Sequence, residues 1–140
     1  MAQGYEVRSH TYMRTTVLVL ARTGASDFLE KMRHSGKQSQ KLRLILETME
    51  IISERGIERC IGRSNFIRMI APDLGLAEVK VSGKVIRIMT YVASLNGEMK
   101  AVLLFDFTAH GGKTGKIPPN IIKRGRELAA IAKECVEEAD

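Results

Sequence analysis

"KVIRIMTYVASLNGEMKAVLLFDF", residues 84 to 107, decides how this chain folds. Residues 84 to 93 alternate apolar and polar side chains, and "KAVLLFDF" at 100 to 107 is a more apolar run. Between them stands Asn96-Gly97, the strongest short-range signal for a hairpin, because a tight two-residue turn needs positive φ at both central positions. Just upstream, "GLAEVKV" (residues 75 to 81) sets Leu76, Glu78 and Lys80 against Ala77, Val79 and Val81. That two-residue period predicts a strand with one solvated face, joined to the next through Ser82-Gly83. The three runs make an antiparallel meander.

On the N-terminal side, "TTVLVLARTG" (15 to 24) is β-branched and aliphatic and ends at a glycine, which reads as a buried strand. Residues 1 to 14 mix polar and aromatic groups without a period and are expected to form a loosely docked arm. Ser26 is the expected N-cap of a short helix whose first turn holds Asp27 and Glu30, where the helix dipole favours acids. A second helix carries Leu42, Leu46, Met49 and Ile52 at helical spacing and ends at Gly56, so the two helices are expected to pack as a hairpin. Residues 57 to 73 show no pattern up to Pro72. On the C-terminal side a glycine- and lysine-rich loop leads to Pro118-Pro119 and a helix with Ile122, Leu128, Ile131 and Cys135 on one face, interrupted by Gly125. The expected fold is therefore one α+β domain over residues 1 to 140: strand, helical hairpin, three-stranded meander, C-terminal helix.

The length of 140 residues and 44% hydrophobic content suit a single core. The net charge of +6 is unevenly spread. From Lys80 to Arg126 nine Lys or Arg stand against only Glu98 and Asp106. Such a concentration favours phosphate-bearing or acidic partners. Cys60 and Cys135 are far apart and show no metal-ligand spacing, so a reducing cytoplasm is expected, with neither a disulfide framework nor a metal. "VLVLA" (17 to 21) is too short for a membrane span or signal core.

From Leu76 onward the chain resembles the RelE/HigB branch of the RelE/ParE toxin superfamily, including its phage-derived HigB-like members. The likeness runs from Gly75 to Ala129. Leu76, Glu78 and Lys80 match the family's L-x-E-x-R strand, with Ile86, Arg87 and Tyr91 on the next. Leu103, Leu104 and Phe107 match the third, and Lys113 and Lys116 precede Pro118. The resemblance implies a RelE-like fold and a type II toxin acting as a ribosome-dependent mRNA endoribonuclease. It would need no cofactor, and a cognate antitoxin would neutralise it. The implied chemistry is attack of a 2′-hydroxyl on the adjacent phosphate, which needs a base, an acid and cations around the phosphorane. Lys80 stands where the family carries arginine, and Ala109-His110 where it often carries paired lysines.

On that basis Arg87, Lys80, Tyr91 and His110 are the candidate catalytic residues, with His110 as acid or base. Lys84, Lys113, Lys116, Lys123, Arg124 and Arg126 are candidate RNA contacts. The last three open a helix where cations oppose the dipole, which suggests an external anion. His10 and His34 have no companions at useful spacing and are read as surface residues. Arg63 and Arg68 are possible extensions of the basic groove. Two other readings use the same fold: a catalytically silent RNA- or protein-binding module of phage origin, and a gyrase inhibitor similar to the ParE branch.

Overall fold

The computed structural model describes residues 4–62, 66–81, 86–108 and 117–139. Six strands form one mixed sheet in the order β1-β2-β6-β5-β4-β3. They are β1 (Tyr5–Tyr12), β2 (Thr15–Arg22), β3 (Ile67–Ala71), β4 (Leu76–Lys80), β5 (Ile86–Leu95) and β6 (Glu98–Thr108). The helices are α1 (Phe28–Arg33), α2 (Ser39–Arg55), α3 (Ile57–Cys60) and α4 (Pro119–Ala139), and a 3-10 turn at Pro72–Leu74 links β3 to β4.

The β5–β6 hairpin forms as the Asn96-Gly97 signal requires: φ is 54° at Asn96 and 80° at Gly97. Its ladder runs from Leu95↔Glu98 to Ile86↔Thr108. The meander continues through β4 and, beyond the three strands expected, through β3 at the sheet edge. At the other side β2 lies parallel to β6, with Leu18 beside Val102. The fold is thus α+β as expected, but its sheet has six strands, with β1 and β3 added to the four expected.

The expected loose arm is instead β1, paired with β2 from Tyr5↔Arg22 to Tyr12↔Thr15. Its irregular composition reflects two different neighbours. Tyr5 and Val7 pack in the cluster beneath α4, whereas Tyr12 belongs to the cluster beneath α1 and α2. Arg8 and His10 share the Tyr12 side and meet charged groups of α1. The N-cap of α1 is Asp27 rather than Ser26: its side chain accepts from the Glu30 N–H while the Glu30 side chain accepts from the Asp27 N–H.

Helices cover both faces of the sheet. On one face Leu42, Ile45, Met49 and Ile52 of α2 pack with Val17, Val79, Ile88 and Leu103. On the other, Ala129, Ala132 and Val136 of α4 pack with Leu76, Met89, Val102 and Leu104. The buried stripe of α4 is thus made of small residues, with Leu128, Ile131 and Cys135 at its margins. Gly125 belongs to that stripe, because a Cβ there would lie 2.9 Å from Met89 Cγ. Its absence lets the helix approach β5, which outweighs the roughly 1 kcal/mol that glycine costs a helix.

Candidate nucleic-acid interface

The β4–β5 register sets Lys80 directly opposite Arg87. Residues opposite each other in an antiparallel pair share a face, so both side chains stand on the α4 side of the sheet. Glu78 and Arg68 lie on the same face one step inward. Arg68 Nε is 2.9 Å from Glu78 Oε1, and Arg87 Nε is 4.0 Å from Glu78 Oε2. Alternation places Glu78 on a solvated face, yet its side chain is only 4% exposed. β3 and α4 account for this burial, and the two guanidiniums compensate the enclosed carboxylate.

Arg87 also faces Phe107 of β6, and the next pair inward is Met89 with Phe105. Above them comes the second turn of α4, with Arg124 and Gly125. Arg124 lies 5.1 Å above the Phe105 ring as a cation–π contact. Lys123, Arg124 and Arg126 are exposed, and the first turn of α4 contains no acid. Strand register and helix packing therefore gather Lys80, Arg87, Lys123, Arg124 and Arg126 toward one end of one face. Glu78 is the acid embedded among the strand cations.

Tyr91 shares that face but not that place. It is paired with Leu76, four residues along the strand from Arg87 and about 13 Å away. It is buried beneath the C-terminal half of α4. Burial, and secondarily Glu137, push its phenol above the ordinary tyrosine range. His110, Lys84, Lys113, Lys116 and Arg63 lie outside the described residues.

A second polar cluster leaves no trace in sequence spacing. His10 Nε2 is 2.7 Å from Asp27 Oδ2, and Asp27 is fully enclosed. Arg8 bonds Glu30 at 2.8 Å and Glu6 at 2.9 Å. His10, Asp27 and Glu30 approach closely enough to suggest a cation site. Their donors are already engaged, however: Asp27 caps α1 and holds His10, and Glu30 closes the capping box and holds Arg8. Residues so far apart in the chain are brought together only by the β1–β2 pairing.

The Asp27 backbone N–H, and then the Arg8 guanidinium, hold Glu30 at about 2, below its ordinary 4.5. A carboxyl depressed on folding contributes stability above its unfolded pKa and loses it as pH falls through the folded value. Glu30→Gln should therefore lower the melting temperature at pH 7 but have little effect near pH 2. An equal loss at both pH values would show that Glu30 acts by packing alone.

No family model, curated protein or solved structure matches this chain. Among the described residues, no helix is long and apolar enough to cross a membrane.

Proposed function

We propose that this chain binds RNA along its phosphates, at the end of the sheet where Lys80 and Arg87 meet the second turn of α4. The observation that carries the reading is the Lys80↔Arg87 pairing on the face over which Arg124 also lies. Cations spaced along one surface neutralise successive phosphates and release their counterions. Half-buried Arg87 and the stacked Arg124 are also held in place, which reduces the ordering needed on binding.

The toxin reading, an mRNA endoribonuclease of the RelE/HigB kind, draws on the same pair, since a cation that meets a ground-state phosphate also meets the transition state. It needs an acid and a base as well. Tyr91 is remote from the Arg87 end, so those roles would fall to His110 or the loop lysines. The silent RNA-binding module needs neither group, so the grip on phosphate is common to both readings.

Fluorescence anisotropy with a labelled single-stranded RNA tests the grip. Affinity should fall at least about tenfold as monovalent salt rises fourfold. The double change Lys80→Ala, Arg124→Ala should weaken binding and flatten the salt slope by about one for each phosphate that no longer meets a cation. Affinity indifferent to salt, or to the double change, would end the proposal. Mapping messenger 5′ ends after induction in cells separates the two readings: new cleavage sites favour the toxin, and none favours the binding module.

A further inference from the structure

A cleft of about 710 Å³ opens at the opposite end of the α4 face, between the Pro72–Leu74 turn, the second half of β5 and the last turns of α4. Its size falls within the usual range for a small-molecule site. In a chain of net charge +6 its lining is acidic: Asp73, Glu134 and Glu137 against Lys133. Lys133 Nζ is 3.9 Å from Glu137 Oε1, with both side chains more than half exposed, so that pair is loose and solvated.

Tyr91 sits in the wall of this cleft. It is 7% exposed, and its hydroxyl forms no hydrogen bond among the described residues. Nor is that hydroxyl sealed off: among the described residues no enclosed side-chain oxygen or nitrogen lacks a partner, so the phenol oxygen reaches the cleft. A hydroxyl on a nearly buried residue that has no bond among the described residues can take one from a ligand in the cleft. The ring is fixed by close approach to Gly75, and Glu137 lies near enough for its charge to act on the phenol.

We propose that this cleft binds a small aliphatic primary amine, with the ammonium between the Tyr91 hydroxyl and the Glu137 carboxylate and the methylene stem against Leu74, Leu95 and Val136. An ammonium carries three donors and no acceptor. It satisfies a phenol oxygen and a carboxylate together, whereas a carboxylate or phosphate ligand would meet three acids. The apolar walls take the stem. This site is independent of the RNA-binding reading, and its test requires no nucleic acid.

Hexylamine and hexanoate share a stem and differ in head group, so titrating each into the full-length ¹⁵N-labelled protein isolates the proposed recognition. Hexylamine should saturably shift amides of Gly75, Tyr91 to Leu95 and Ala129 to Glu137, and hexanoate should bind at least about tenfold more weakly. Tyr91→Phe, which keeps the ring, and Glu137→Gln should each raise the hexylamine Kd about tenfold, the usual scale for a hydrogen bond to a charged group. Equal binding of hexanoate, shifts confined to other surfaces, or a Kd unmoved by either variant would overturn the proposal. Glu137 is exposed, so Glu137→Gln remains decisive if Tyr91→Phe fails to fold.

Discussion

Gly75→Ala is expected to destabilise the fold by about 3 kcal/mol or more, lowering the melting temperature by about 10 °C. Gly75 has φ of 68° and follows the 3-10 turn that leads into β4. An added Cβ would lie 2.6 Å from the Val92 carbonyl oxygen and 2.8 Å from Tyr91 Cε1. The first of these atoms is backbone in the adjacent strand, where the Val92 N–H also bonds the Gly75 carbonyl at 2.8 Å. Neither neighbour can yield without disturbing the β4–β5 ladder. Gly97→Ala is the natural control: its φ is 80° but nothing lies within 4 Å of the new methyl. It should cost only the left-handed conformation, about 1 kcal/mol. Thermal melts placing the two variants at the same loss would remove the close approach from the account.

Glu78→Gln is expected to move stability and RNA affinity in opposite directions. The carboxylate is nearly enclosed and lies between Arg68 and Arg87. Making it neutral weakens two charge-assisted contacts and leaves two guanidiniums facing each other, a loss of about 1.5–3 kcal/mol. The same change removes the acid embedded in the basic end, so RNA should bind more tightly, with a steeper salt dependence. Melting and anisotropy on the same preparation check both signs. Weaker RNA binding by a folded Glu78→Gln protein would place the interface elsewhere.

Where side-chain alternation is regular and the turn chemistry is explicit, as from β4 to β6, the strands are legible directly. The Lys80–Arg87 pairing follows from the same regularity. β3 is hidden because it is short and its register shifts between Met69 and Ala71, which breaks the two-residue period. β1 is hidden because its side chains answer to two different helical layers. Glu78 reads as solvated because alternation reports which side a residue faces, not whether a helix or a neighbouring edge strand covers that side. The small-residue stripe of α4 is likewise obscured. Periodicity searches reward large apolar residues, whereas this helix sits close through Gly125, Ala129 and Ala132. The cleft beside Tyr91 depends on tertiary placement and leaves no mark in spacing.

The parallel seam between β2 and β6 also governs the order in which the molecule can assemble during translation. The N-terminal hairpin and the first three helices leave the ribosome long before β6, which alone joins β2 to the rest of the sheet. Until Val102 emerges, Val17 and Val19 lack the strand beside which they are finally buried. Contacts of such long sequence separation form late and slow folding. The nascent chain thus carries an unpaired, aliphatic strand edge from the emergence of β2 to that of β6, and its exposure to aggregation or chaperone capture ends only when the β5–β6 hairpin closes the sheet.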